Sequence, residues 1–93
     1  MTIGSLQLVL VIRGCRSLKE KRRVIKPIKE SVRRKFNVAV AEIDAQDVHQ
    51  KAVLAVATVS AERRHAESVL TNVANWVRMN PNAELADSEM ELL

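Results

Sequence analysis

Val38-Ala39-Val40-Ala41-Glu42-Ile43-Asp44, a loop Ala45-Gln46-Asp47-Val48-His49, and then Lys51-Ala52-Val53-Leu54-Ala55-Val56-Ala57-Thr58-Val59 are the residues that decide the fold. The first segment reads as a short strand, with Val38 and Val40 on one face and Ala39, Ala41 and Ile43 on the other, turning polar at its far end. The last segment is apolar throughout, as a central strand must be. Two consecutive strands at mid-chain are therefore expected, with a helix on either side.

Upstream, Ser17-Leu18-Lys19-Glu20 is a capping box: the Ser17 hydroxyl can accept from the Glu20 amide while the Glu20 side chain reaches back. From there Leu18, Ile25, Ile28, Val32 and Phe36 form one apolar stripe at three- and four-residue steps, with one seven-residue gap. Pro27 removes the hydrogen bond to the Arg23 carbonyl, so a kink near Arg23 to Lys26 is predicted; the stripe keeps its phase, which argues against two helices. Before the helix, Ile3 to Arg13 reads as a central strand, with Leu6, Leu8, Leu10 and Ile12 on one face and Val9 and Val11 on the other. Gly14 breaks that pattern.

Downstream, Ser60 is expected to cap a second helix whose buried stripe is Ala66, Val69, Leu70, Val73 and Val77. It runs to about Met79 and is stopped by Asn80-Pro81-Asn82. Glu84 to Leu92 suits an edge strand, with Asp87, Glu89 and Glu91 on a solvated side and Ala86, Ser88, Met90 and Leu92 on the other. The order β-α-β-β-α-β predicts a ferredoxin-like α+β fold, a four-stranded antiparallel sheet with two helices on one face. Its 93 residues, 10.4 kDa, suffice for a single domain, 1–93.

Composition narrows the function classes. Hydrophobic residues make up 47% and charged residues 28%, near globular averages, which argues against disorder. No apolar run reaches the ~18 residues of a membrane span, and Met1 to Val11 has no signal-peptide pattern, so a cytoplasmic protein with no membrane partner is expected. One cysteine, Cys15, excludes an internal disulfide, and together with two histidines it makes no dedicated zinc site. No cofactor is predicted, and no complete catalytic constellation is present.

The net charge of +4 is unevenly spread: residues 1–35 hold eleven Lys and Arg against two Glu, while residues 36–93 hold four against nine Asp and Glu. Such asymmetry points to a polyanionic partner, or to a second copy meeting the acidic part.

Ser17-Leu18-Lys19-Glu20-Lys21-Arg22, Val24-Ile25-Lys26, Phe36-Asn37-Val38-Ala39-Val40-Ala41-Glu42, Gln46-Asp47 and Gln50-Lys51-Ala52 resemble the YlxP-like family of short uncharacterised bacterial proteins, and the likeness spans nearly the whole chain. The resemblance implies a ferredoxin-like fold and no established activity. Genes of that family commonly lie between those of a translation initiation factor and a ribosome-binding factor, which implies a role near the ribosome. His49 stands where the family usually has an aromatic.

The candidate interface is basic. Lys19, Arg22, Arg23, Lys26, Lys29 and Arg33 fall on the side of the first helix away from its apolar stripe, with Arg13 and Arg16 in the turn that enters it. A charge run is usually a solvated face. This one repels itself, since Lys19/Arg23, Arg22/Lys26 and Lys29/Arg33 stand at i,i+4, each costing about 0.2–0.5 kcal/mol, so a phosphate partner is the expectation. The only aromatics are Phe36 and Trp76, which speaks against base stacking on the sheet, and with glycine only at 4 and 14 a GXXG clamp is excluded. Contact through RNA backbone and shape is expected, on ribosomal RNA or a ribosomal subunit.

Two alternatives stand beside it. A homodimer would pair open sheet faces, or set the basic helix against Glu84 to Glu91. An acylphosphatase-like hydrolase would use the Arg13-Gly14-Cys15-Arg16-Ser17 turn as a phosphate cradle with Asn37 positioning water, although that family's longer glycine-bearing loop is missing. His49 with Asp44 and Asp47, and His65, read as solvated polar residues; Cys15 reads as an ordinary thiol, and Trp76 as core or interface.

Overall fold

Alternation along the first strand sorts its side chains: Leu6, Leu8 and Leu10 are buried while Ser5 and Gln7 face solvent, in β1 (Thr2–Val11). The computed structural model covers residues 1–93 and continues with α1 (Leu18–Lys35), β2 (Ala39–Asp44), β3 (Lys51–Ser60), α2 (Arg63–Arg78) and β4 (Glu84–Leu92). The strands form one antiparallel sheet in the order β2-β3-β1-β4, so β1 and β3 are central and β2 and β4 are edges. This is the ferredoxin-like arrangement expected from the sequence.

One layer of apolar side chains joins sheet to helices. Leu6, Leu8 and Leu10 of β1 and Ala52, Leu54 and Val56 of β3 meet Ile25, Ile28 and Val32 of α1 and Leu70, Val73 and Val77 of α2. Full burial of a side chain such as Leu8 or Ile28 contributes about 1.5–3 kcal/mol. Gly4 permits the closest approach of α2: a Cβ there would lie 2.8 Å from Leu70 Cδ1 and 3.1 Å from Leu92 Cδ2. The chain's two ends meet at the opposite edge of β1, where the Ile3 amide donates to Leu93 O at 3.0 Å and the Leu93 amide to Ile3 O at 2.8 Å.

Some boundaries differ from the sequence reading. Ser60 ends β3 instead of capping α2; its hydroxyl accepts from the Glu62 amide at 3.1 Å, and Glu62 occupies the N-cap without a side-chain hydrogen bond. Val38 lies outside β2, its amide turned to Phe36 O at 2.9 Å. Arg13 lies beyond β1, because β1 ends at Val11 and Gly14, at φ +76, redirects the chain. In β4 a register shift opposite Val9 and Leu10 takes Ala86 out of the alternation, so Leu85, Met90 and Leu92 pack on the core. α1 is one helix with Pro27 inside it.

Candidate nucleic-acid interface

The start of α1 is built as the capping pattern requires, with one variation. Ser17 Oγ accepts from the Glu20 amide at 3.1 Å, and Glu20 Oε2 takes the amide of Arg16, one residue before the cap, at 2.7 Å. Ile25, Ile28 and Val32 face the core, which leaves Lys19, Arg22, Arg23 and Lys26 exposed and Lys29 half-buried on the flank. From Lys19 to Arg33 the strip runs about 21 Å at ~1.5 Å per residue.

The structure places six of the eight predicted site residues on this helix and two, Arg13 and Arg16, before it. Arg13 is held at the sheet's end, where its Nε and Nη2 donate to Glu84 Oε2 at 3.1 and 2.9 Å. Both side chains are largely exposed, so this pair is weak and open to exchange with another anion. Arg16 is exposed in the turn before α1. Arg33 donates from Nη2 to Val40 O at 2.7 Å, folding its head over β2. Lys26 lies 4.0 Å from Glu30, and no other cation of the strip has an acidic partner within 4.0 Å. The strip therefore keeps most of its charge unneutralised.

Lys21 behaves differently. Its side chain is 3% exposed; Nζ donates to Ala45 O at 2.7 Å and Val48 O at 2.9 Å and stands 2.7 Å from Glu42 Oε2. Glu42 Oε2 therefore meets the ammonium as an ion pair, without hydrogen-bond geometry. Burying a lone ammonium would cost several kcal/mol, and these three acceptors are what make the position tolerable. They also hold the β2–β3 loop against α1, including Ala45 in its left-handed conformation at φ 57. Sequence reasoning gave Lys21 no role of its own. The signal was present: Lys21 sits in the gap of the apolar stripe, three residues after Leu18 and four before Ile25, and Glu42 shares the inward face of β2 with Val40.

The remaining acids lie elsewhere. Asp87, Glu89 and Glu91 pair across from Val9, Gln7 and Ser5, which puts them on the open face of the sheet at the β4 edge, away from α1. The acylphosphatase comparison meets a geometric obstacle: Arg16 and Asn37 flank opposite ends of α1, about 27 Å of helix apart, too far to share one substrate. No group of three His, Cys, Asp or Glu side chains comes together to hold a metal. No helix is long and apolar enough to cross a membrane. Cys15 is buried with its Sγ directed at Ser17 O, and Trp76 packs against the core with Lys35 Nζ 6.0 Å from its ring centre.

A ferredoxin-like domain with one basic helix and an acidic far edge is the class defined by these observations. Residues 3–90 match the profile of a family described as "Protein of unknown function (DUF503)", and the chain belongs to that family. It is 38% identical over 82 residues to "Uncharacterized protein YlxP" of Bacillus subtilis (strain 168), spanning 88% of this chain and 89% of the relative. Among solved structures it is similar to "De novo designed protein Foldit4", with a TM-score of 0.55 and 18% identity, covering 100% of this chain and 97% of that one. That likeness concerns the fold alone.

Proposed function

We propose that the protein is a non-enzymatic accessory factor that binds RNA through α1, with ribosomal RNA or a ribosomal subunit as its target. The observation that carries this reading is the strip Lys19, Arg22, Arg23, Lys26 and Lys29 on one helix, of which only Lys26 has an acidic partner, with the acids Asp87, Glu89 and Glu91 on the other face of the sheet at the far edge. A polyanion is attracted to one side of the molecule and repelled from the other. Without exposed stacking aromatics on the sheet, the contact rests on phosphates, and its affinity is salt-dependent. The gene setting implied by the family resemblance supports a ribosomal target.

Co-sedimentation with small ribosomal subunits and with a free structured RNA across a salt series tests it. Binding is expected to fall with a log–log slope of about −0.7 to −0.9 per phosphate neutralised. Reversal of Arg22, Arg23 and Lys26 to Glu is expected to abolish binding and leave the far-UV spectrum unchanged. Protein that stays in the supernatant at low salt refutes the reading.

A second reading, self-association through the open sheet face, is favoured by the exposure of Ile3 (41%) and Val59 (62%) on that face. It calls for a sedimentation mass near twice 10.4 kDa that the α1 reversal leaves intact.

A further inference from the structure

A carboxylate in the flank of a cation strip needs an explanation. Leu18, Lys21, Arg22, Ile25, Lys26, Lys29, Glu42 and Gln46 enclose a cleft of about 60 Å³ between α1 and β2. Glu42 is 20% exposed through its side chain; its Oε2 is enclosed beside the Lys21 ammonium, and no hydrogen bond from the protein reaches the other oxygen, Oε1. On that measure one water needs about 10–15 Å³, so the cleft has room for a hydroxyl group.

The ligand class follows from donor and acceptor chemistry. Arg22, Lys26 and Lys29 are donors only, and they suit phosphate oxygens. Glu42 is an acceptor only, so it repels a phosphate and requires a donor. Along a nucleic-acid backbone, phosphates only accept, and the one group that donates is the ribose 2′-hydroxyl, present in RNA and absent from DNA. We propose that the Glu42 cleft is a subsite for a ribose 2′-hydroxyl, through which the phosphate-binding strip selects RNA over DNA. Phosphates on Arg22 and Lys26 bring the sugar edge to the cleft, and the Lys21 ammonium at 2.7 Å holds the carboxylate in place. The inference rests on the phosphate-binding reading above and adds the identity of the polymer.

The test is fluorescence anisotropy at one fixed salt concentration with an RNA hairpin, the same hairpin carrying 2′-O-methyl groups, and the DNA hairpin. Methylation removes the donor while retaining A-form shape. The unmodified RNA is expected to bind about tenfold more tightly than either of the others, the effect of one hydrogen bond to a charged group. In Lys21→Met/Glu42→Leu, which exchanges the buried ion pair for apolar groups, the preference is expected to vanish while salt-dependent binding remains. Glu42→Gln, closer in shape, is the second variant and is expected to narrow the preference. Equal binding of methylated and unmodified RNA by the wild-type protein overturns the subsite and leaves the phosphate reading standing. A tenfold preference retained by both folded variants overturns the assignment to Glu42. Failure to bind any of the three hairpins at low salt overturns both readings.

Discussion

Lys21 and Glu42 form a pair whose removal is asymmetric. Lys21→Ala leaves a buried carboxylate without its counter-charge and two loop carbonyls without their donor, and is expected to cost about 3–5 kcal/mol. Lys21→Met combined with Glu42→Leu removes both charges and is expected to recover most of that loss. Urea denaturation of Lys21→Met, Glu42→Leu and the double variant measures the coupling directly. The pair was only half legible beforehand. A polar residue in a helical stripe gap and another on the inward face of a strand can each be seen in the sequence, but their meeting depends on which strand lies beside α1, and that is a tertiary fact. Gly4 is a parallel case on β1: its role is the approach of Leu70, and Gly4→Val is expected to destabilise by about 1–3 kcal/mol through overpacking, with a matching fall in urea midpoint.

At the scale of the element, α1 is stable because its apolar face is buried, against the repulsion of its exposed one. The three like-charge i,i+4 pairs together oppose the helix by about 0.6–1.5 kcal/mol, and Lys26–Glu30 offsets little of that at 4.0 Å. Salt screens such repulsion, so the thermal midpoint of the free protein is expected to rise by roughly 4 °C between low and moderate ionic strength, and to rise less in Lys26→Gln. A scanning calorimetry series settles the sign. Element order and type were legible throughout, since the periods of β1, α1, β3 and α2 are strong. The β4 bulge was not: Leu85 and Ala86 are both apolar, so nothing in the alternation marks which one drops out of register. The entry to α2 was misread for a related reason, because Ser60 satisfies a neighbouring amide from the last position of the strand and so looks like a cap.

For the whole molecule, the charge asymmetry between residues 1–35 and 36–93 was visible in sequence, but its separation in space follows from strand order. With β4 on the far side of β1 from β3, the late acidic segment is carried to the edge opposite β2, over whose inner side α1 packs. On the proposed reading, the acids oppose RNA binding from a distance. Asp87→Asn, Glu89→Gln and Glu91→Gln together are expected to raise RNA affinity about twofold at low salt, with the gain fading as salt screens the field, as a filter-binding series would record. The same strand order has a consequence for synthesis on a translating ribosome. β1 is the earliest strand to emerge and must be flanked by β3 and by β4, the latest, so one of its hydrogen-bonding edges can fill with β3 while the other stays open until residue 92 has emerged. Nascent chains stalled before Glu84 would therefore carry a β1 whose β4-facing edge is open and pairing-competent.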